Sequence, residues 1–412
     1  MPLKVAKRLD IQKIRKDFPI LSTEMNGKPL VFLDSGASSQ KPNQVLEAMD
    51  DYYQTTHSNV HRGVYKLSQN ATDLFEASRK TMQRFINAKH DREVIFTRGT
   101  TEGINLIANC FGRKFLKEGD EVLISAMEHH SNIVPWQMAC DASGAVLKVV
   151  PLNDLGELDF DVFDQLISKK TKIIAVMHVS NSLGTINPIK DITRVAHSLN
   201  IPVLVDGAQA CPHMKIDVQD LDVDFYVASA HKMYGPTGMG FLYGKEEWLN
   251  ALPPYHGGGE MIESCSFEKT TYNVLPFKFE AGTPDIAGAI GMAAAAKYIE
   301  EIGHKAIQLH EEELLNYATE KLSEIEGLKI IGNARKKASV ISFLIENTHP
   351  YDVGAILDKL GIAVRTGHHC TQPLMGLLKI PGTVRASFGV YNTKKEIDIL
   401  AAGVKRAAKM LT

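Results

Sequence analysis

The chain has 412 residues and nearly balanced charge, with 46 Lys and Arg against 48 Asp and Glu. At roughly 150 residues per domain this length predicts two or three units, and the absence of like-charge blocks argues against nucleic acid or a membrane surface as partner. The five cysteines are scattered without a C-x-x-C pair, which argues against a disulfide framework and a zinc site and favours the reducing cytoplasm.

The first predicted element is a short helix near the N-terminus. Asp10 is placed to cap it, Ile11, Ile14 and Phe18 share one apolar face, and Pro19 ends it. Lysines and arginines in this region resemble a transit peptide, but Asp10 and an aspartate at position 17 interrupt them. The pattern therefore favours an ordinary helix.

From about residue 90 to 245, short β-rich runs alternate with helical patterns, which is typical of a parallel sheet covered by helices. The predicted strands are 93–97, 121–125, 172–179, 203–206, 224–229 and 240–243. The carboxyl ends of such strands form the ligand crevice. The candidate site residues that follow these runs are Thr100, Thr101, His129, Asn181, Asp206, Gln209, Ser229, His231 and Lys232.

After residue 285 the pattern changes to long amphipathic helices and short strands, which indicates a second, smaller domain. The predicted elements are helices 287–301 and 304–325, strands 329–331 and 339–345, and a last helix begun by a capping box of Thr393 and Glu396. We expect three units: an N-terminal segment 1–30 packed with the small domain, a large domain 31–285, and a small domain 286–412.

Lys232 is the first candidate for chemistry, because it follows a buried strand and precedes a glycine-rich turn. A lysine withdrawn from water is what Schiff-base formation with an aldehyde cofactor requires, although a surface-turn lysine is the more frequent explanation of such a residue alone. Asp206 shifts the balance, since a carboxylate at that strand end can pair with the pyridinium nitrogen of pyridoxal phosphate. Gln209 can form a hydrogen bond with the ring hydroxyl. The alternative role of Asp206 is to cap the helix that follows it.

The phosphate of such a cofactor needs donors and a helix N-terminus. The segment R-G-T-T-E-G at 98–103 supplies both before a predicted helix 104–110, with Thr101 as the preferred hydroxyl donor and Thr100 beside it. Ser229 and His231 can complete the cradle. A Gly-Thr-Thr turn alone more often only begins a helix.

His129 follows another strand and can stack its imidazole on the cofactor ring. The adjacent His130 could indicate a zinc site, but the sequence has no H-E-x-x-H motif, and the side chains of neighbouring residues point apart. We therefore predict no metal.

A loop cysteine, Cys370, ends the segment R-T-G-H-H-C at 365–370. Flanking histidine and arginine side chains favour a reactive thiolate, whereas the usual explanation of a lone cysteine is a small buried hydrophobe. Arg385 can hold a substrate carboxylate with two parallel hydrogen bonds.

Together these segments resemble the cysteine desulfurases of the SufS type, in the class V aminotransferase family of fold type I pyridoxal-phosphate enzymes. The resemblance runs from about Phe18 to the C-terminus. It rests on residues 98–105, 128–130, 178–181, 206–210, 231–232, 280–284 and 365–370. It implies an α/β fold, with a mostly parallel seven-stranded sheet in the large domain and a smaller α+β C-terminal domain.

The resemblance also implies a role for each candidate. Lys232 would carry pyridoxal phosphate, and the ring would be held by Asp206, Gln209 and His129. The phosphate would be bound by Thr101, Ser229 and His231, and across a homodimer interface by Thr283 of the neighbouring subunit. The substrate carboxylate would meet Asn181 and Arg385, with Arg365 and His61 lining the same pocket.

The implied activity removes sulfur from L-cysteine, giving L-alanine and a persulfide on Cys370 for iron–sulfur cluster assembly, with L-selenocysteine as a side substrate. Only 14 residues separate Cys370 from Arg385, so the loop is short and an acceptor protein of the SufE or SufU kind is implied. The rivals are another reaction on this scaffold, such as transamination or selenocysteine lysis, and a non-catalytic cofactor-bearing scaffold. Cys370 argues against transamination, and intact Lys232 argues against a scaffold.

Overall fold

The computed structural model describes residues 9–411. Its helices are α1 (Ile11–Lys16), α2 (Asn43–Asp51), α3 (Lys66–Phe85), α4 (Thr100–Phe115), α5 (Val134–Ser143), α6 (Phe160–Leu166), α7 (Ile189–Ser198), α8 (Val218–Leu221), α9 (Glu246–Ala251), α10 (Ile286–Ile302), α11 (His304–Ser323), α12 (Pro350–Lys359), α13 (Gln372–Leu378) and α14 (Lys394–Leu411). Its strands are β1 (Glu24–Met25), β2 (Lys28–Pro29), β3 (Val31–Phe32), β4 (Val94–Thr97), β5 (Glu121–Ser125), β6 (Val146–Val150), β7 (Thr171–Met177), β8 (Val203–Asp206), β9 (Phe225–Ser229), β10 (Gly240–Gly244), β11 (Ile262–Cys265), β12 (Thr270–Tyr272), β13 (Leu328–Ile331), β14 (Val340–Ile345), β15 (Ile362–Ala363), β16 (Arg365–Gly367) and β17 (Thr383–Ser387).

The larger sheet has seven strands in the order β4-β10-β9-β8-β7-β5-β6. The strands β6, β5, β7, β8 and β9 run parallel to one another, and β10 is antiparallel to both of its neighbours. The parallel strands need crossover connections, which helices such as α5 and α7 supply. The predicted seven-stranded, mostly parallel α/β sheet is confirmed.

Both faces of this sheet are buried, which explains why its strands read as continuous apolar runs. On β9, Phe225 and Val227 pack with α4 and α5 on one face, whereas Tyr226 and Ala228 pack with α3, α7 and α10 on the other. Successive side chains of a strand point to opposite faces, so one run serves two cores.

A second, antiparallel sheet has the order β13-β14-β17-β16 and forms a separate apolar core with α11, α12 and α14. The last helix is capped as predicted: Thr393 N donates to Glu396 Oε2 at 2.8 Å, and Glu396 N donates to Thr393 Oγ1 at 3.3 Å. Strand β3 pairs with β15 in parallel, so the chain following the N-terminal segment joins this second unit.

The N-terminal helix forms over Ile11–Lys16, where Asp10 Oδ1 accepts a hydrogen bond from Lys13 N at 3.0 Å. Arg15 reaches the last helix, with 3.0 Å between its Nη1 and Glu396 Oε1. Phe18 is buried against Tyr391. Residues 1–8 of the predicted N-terminal unit lie outside the described residues, and the domain boundaries at residues 30 and 285 remain predictions.

The structure differs from the prediction at one strand and one helix of the region 90–245. Strand β6 was absent from the predicted strands, because it lies at the sheet edge and only Val150 of its five residues is buried. Helix α4 spans Thr100–Phe115 rather than 104–110. Within residues 9–411, no helix combines the length and the apolar character needed to cross a membrane.

Candidate active site

A cleft of about 170 Å³ lies at the carboxyl ends of the parallel strands. The predicted site residues that line it are Thr100, Thr101, His129, Asn181, Asp206, Gln209, Ser229, His231, Lys232, Arg365, Cys370 and Arg385. Residues more than 250 positions apart thus share one cavity, because strand ends of the first sheet face the loops of the second. Two predicted residues, His61 and Thr283, do not line this cleft.

Lys232 ends a short 3₁₀ turn, Ala230–Lys232, directly after β9. Burial lowers the pKa of its amine to about 8, and the nearby Asp206 opposes that shift while Arg385 adds to it. A lysine with a pKa near 8 is neutral at physiological pH much more often than an exposed lysine. In the neutral form its nitrogen lone pair is free to react with an aldehyde.

Asp206 is the last residue of β8 and is buried beneath the cleft. Its Oδ1 accepts a hydrogen bond from Ala208 N at 3.0 Å. Burial raises its pKa, and Ala208 N–H and Lys232 act in the opposite direction. The next residue, Gly207, has no room for a side chain, because a Cβ there would lie 2.0 Å from the Tyr226 ring.

Gln209 is held by one end of its amide, since Nε2 donates to Gly36 O at 2.5 Å. Its Oε1 is buried and has no hydrogen-bond partner among the described residues. A buried acceptor without a partner costs about 1–3 kcal/mol, so this atom fits a ligand that donates a hydrogen bond. The ring hydroxyl of pyridoxal phosphate is such a donor.

The first turn of α4 faces the cleft beside Ser229. Thr100 N donates to Ser229 Oγ at 2.8 Å, and the two hydroxyl oxygens are 2.9 Å apart. Gly99 precedes them with φ of 139°, and a Cβ there would lie 2.9 Å from Ser229 Oγ. Thr101 is exposed at the helix start. This cradle of backbone donors and hydroxyls fits a phosphate group.

Burial lowers the pKa of two histidines of the cleft, His129 and His231, which favours their neutral forms. His129 Nδ1 accepts a hydrogen bond from Ser131 N at 3.1 Å, so its ring proton is on Nε2. Burial, with Lys232 next, lowers the pKa of His129 to about 3. Burial likewise lowers the pKa of His231 to about 4. A neutral, partly buried imidazole at position 129 suits stacking on an aromatic ring.

Arg385 is almost completely buried and is oriented by two contacts. Its Nη1 donates to Asn181 O and its Nη2 to Asp34 Oδ1, both at 2.9 Å. The other oxygen of Asp34 lies 3.5 Å from Arg365 Nε. Asp34 was missed by the sequence analysis, although it too follows an apolar run, because that run lies outside the 90–245 pattern.

Two further buried atoms around Arg385 have no hydrogen-bond partner among residues 9–411, Arg385 Nε and Asn181 Oδ1. Arg385 Nε is a donor and suits the carboxylate of an amino acid, whereas Asn181 Oδ1 is an acceptor and suits its ammonium group. The cleft thus has unsatisfied groups both for a pyridoxal ring and for an amino-acid substrate.

Cys370 lies at the rim of this cleft, in the loop between β16 and α13. It is exposed, whereas Cys110, Cys140 and Cys211 are buried. Cys265 is also exposed, but it lies on β11 and does not line the cleft. Cys370 is therefore the cysteine of this cleft.

His61 and Thr283 lie elsewhere in the single chain. His61 Nε2 is 2.9 Å from Glu76 Oε1, and its ring packs on Phe277. Thr283 is exposed and lines a separate cavity with Arg98. Their predicted roles stay predictions. No group of three or more metal-binding side chains occurs within the described residues.

The chain is similar over almost its whole length to proteins named cysteine desulfurase. A curated relative from Halalkalibacterium halodurans, named probable cysteine desulfurase, is 53% identical over 398 residues, covering 97% of this chain and 98% of the relative. The solved structure of a cysteine desulfurase from Thermococcus onnurineus NA1 is 41% identical, with a TM-score of 0.93 over 99% of this chain and 100% of that chain. The cysteine desulfurase CsdA from Escherichia coli is 38% identical, with a TM-score of 0.91 over 98% and 100%.

The family model described as aminotransferase class-V matches residues 31–400. This match covers most of the chain, and it agrees with the observed seven-stranded, mostly parallel sheet. The chain therefore belongs to the class-V aminotransferase family, whose enzymes use pyridoxal phosphate.

Proposed function

We propose that this chain is a pyridoxal-phosphate-dependent cysteine desulfurase that converts L-cysteine to L-alanine and stores the sulfur as a persulfide on Cys370. The observation that carries the proposal is the exposed Cys370 in the same cleft as Lys232 and Arg385. A transaminase needs the lysine and the arginine but has no use for the thiol. The relatives described above bear the same activity in their names.

Pyridoxal phosphate would be held covalently by Lys232, with Asp206, Gln209 and His129 at its ring. Its phosphate would meet Thr100, Thr101, Ser229 and His231, and Thr283 of a second subunit. The bound cofactor supplies an electron sink for negative charge at the substrate Cα. Asp206 favours a protonated ring nitrogen, because a buried carboxylate gains from a cationic neighbour.

The chain's own residues carry the remaining steps. Arg385 and Asn181, with Arg365 nearby, bind the substrate carboxylate and orient the amino acid. Once the amine of the substrate has displaced it, the Lys232 amine takes the proton from Cα as general base. Burial favours its neutral form, which can accept a proton. The Cys370 thiolate then attacks the substrate sulfur: the new S–S bond forms, the Cβ–S bond breaks, and its electron pair stays with Cβ. Cβ takes up a proton equivalent to the one that the Cys370 thiol gave up, and the Lys232 ammonium returns its proton to Cα before alanine leaves.

The surroundings of this activity are inferred from the same resemblance. We propose the SufS-type subgroup, a homodimer, and an acceptor protein of the SufE or SufU kind that takes the persulfide sulfur for iron–sulfur cluster assembly. Cys370 lies in a short loop, which supports a dedicated acceptor because the sulfur cannot travel far. Five free cysteines support a cytoplasmic location.

The direct test is to incubate the purified, cofactor-loaded protein with L-cysteine and to measure L-alanine and sulfide, with and without an acceptor protein. We expect stoichiometric alanine and protein-bound sulfur, and faster turnover with acceptor. L-selenocysteine should also be accepted, since selenide leaves more easily. Formation of a keto acid without alanine would identify a transaminase instead.

A further inference from the structure

The loop that presents Cys370 has an unusual backbone. His369 and Cys370 have φ of 53° and 57°, so two successive residues with side chains occupy the left-handed region. Each such residue costs of order 1 kcal/mol relative to an ordinary conformation and persists only when its surroundings hold it. The position of the thiol therefore depends on the contacts of the loop.

Two of these contacts come from one residue, His130. Its backbone N–H donates to Cys370 O at 2.8 Å. Its side chain accepts, through Nε2, a hydrogen bond from Gln372 N at 3.0 Å. Because Gln372 N is the donor, the His130 ring must carry its proton on Nδ1. The residue thus contacts the backbone at the cysteine and again two residues later.

The other side of the loop is attached to a different segment. Asn181 Nδ2 donates to His369 O at 2.7 Å, and Thr371 Oγ1 lies 2.7 Å from Ser182 Oγ. Asn181 also belongs to the substrate-binding cleft, so its substitution would disturb more than the loop. His130 does not line that cleft, which makes it the contact that can be tested separately.

We propose that His130 is a positioning residue that holds the Cys370 loop in its left-handed conformation, so that the thiol faces the substrate sulfur. The inference rests on the proposed desulfurase function and adds to it a residue that touches neither cofactor nor substrate. Without an acceptor on His130, Gln372 N–H loses its partner and the loop relaxes. Sulfur transfer then slows, while binding of the amino acid is unchanged.

Two variants of the holoenzyme, which differ by one methylene in the side chain at position 130, test this role of His130. In His130→Gln the side-chain amide can reach the position of Nε2 and accept from Gln372 N. In His130→Asn the side chain is one methylene shorter and reaches only the position of Nδ1. Loss of one neutral hydrogen bond changes an equilibrium by about twofold to tenfold. We expect a decrease of that size in the single-turnover rate of persulfide formation on Cys370 for His130→Asn, with unchanged KM for cysteine, and near-normal rates for His130→Gln.

Hydrogen exchange gives a second readout that does not need the activity. The amide of Gln372 should exchange faster in His130→Asn than in wild type or His130→Gln, while β11 and β12, which lie elsewhere, exchange alike in all three. A His130→Asn protein with wild-type exchange and transfer, or a His130→Gln protein as slow as His130→Asn, would overturn the inference. If wild type formed no persulfide, the proposed function would fail, and the exchange comparison would still decide the role of His130.

Discussion

Lys232 is surrounded by groups that act on its charge in opposite directions. Burial lowers the pKa of its amine to about 8, and Asp206 raises it. In the cofactor-free protein the Lys232 amine should therefore lose its proton near pH 8 instead of near 10.5. Because acetic anhydride reacts with the neutral amine, the labelling of Lys232 should increase as the pH rises through about 8. The measurement is competitive labelling followed by peptide mass spectrometry.

The matched variant is Asp206→Asn, which removes the charge that opposes the shift. Its Lys232 midpoint should move to lower pH than that of the wild type, because the ammonium loses a stabilising carboxylate. A Lys232 that titrates like an exposed lysine in both proteins would contradict the account of this amine.

Arg385 is predicted to act on the substrate rather than on the cofactor. In Arg385→Lys, one ammonium replaces a planar group that already contacts Asn181 and Asp34 and still has a free Nε. Loss of a charge-assisted hydrogen bond costs about 1.5–3 kcal/mol, which raises KM for cysteine by roughly tenfold to a hundredfold. Cofactor absorbance should stay the same, and an unchanged KM would remove Arg385 from substrate binding.

At the residue level, the side chains that directly follow buried strands are the ones that the sequence predicts best. Asp206 and Lys232 were found from that rule, and the structure brings them to one cleft. Asp34 was missed because β3, which precedes it, has only two residues and pairs with β15 from the far end of the chain. His130 was considered only as a metal ligand, since its contacts to residues 370 and 372 depend on how the two sheets meet.

The segment around Glu280, which the sequence analysis noted only as part of the resemblance, connects α3 to the sheet. Glu280 pairs with the buried Arg79 through two contacts of 2.6 and 2.9 Å and accepts from Phe96 N at 2.7 Å. Glu280→Ala removes this partner from a buried guanidinium that keeps a second one, with Glu76 Oε2 2.9 Å from Arg79 Nε. We therefore expect a loss of stability of about 3 kcal/mol, the lower end of the range for a broken buried ion pair. Urea denaturation followed by circular dichroism measures the loss.

The comparison for this experiment is an exposed ion pair. Arg92 and Glu246 approach to 2.9 Å at the surface, where solvent screens the attraction. Glu246→Ala should leave the denaturation midpoint almost unchanged. Equal effects of the two substitutions would show that burial does not set the strength of the Arg79–Glu280 pair.

At the element level, the interior strands were predictable and the exceptions have physical causes. Strand β6 lies at an edge of the sheet, so its first four residues are exposed or partly exposed. The strand therefore lacks the continuous buried pattern of β7 or β8. Helix α4 was predicted too short because it contains Gly103 and Gly112. These glycines give close packing instead of a break: a Cβ at Gly103 would lie 2.8 Å from Val227, and one at Gly112 would lie 3.1 Å from Ala139.

At the level of the whole molecule, a single chain leaves large apolar side chains uncovered. Val64 is 95% exposed and Val274 is 72% exposed, and Phe267 on the β11–β12 hairpin is fully exposed. Single exposed apolar residues are common on monomers and do not by themselves indicate association. The expectation of a dimer rests on the proposed role of Thr283 in a second subunit, and it gives a solution mass of twice the 45.5 kDa chain by light scattering. A protein that stays at the mass of one chain at micromolar concentration would contradict the homodimer and the role of Thr283.

In the proposed reaction Cys370 receives sulfur from cysteine, in the cleft where Lys232 carries the remaining chemistry. The most direct measurement is mass spectrometry of the cofactor-loaded wild type after brief exposure to L-cysteine, together with alanine release by Cys370→Ser. We predict one added sulfur, mapped to Cys370, and almost no alanine from the variant, which should still bind cofactor and substrate because Lys232 and Arg385 are intact. Sulfur mapped to Cys265, the other exposed thiol, or near-normal alanine release by Cys370→Ser, would contradict the assignment.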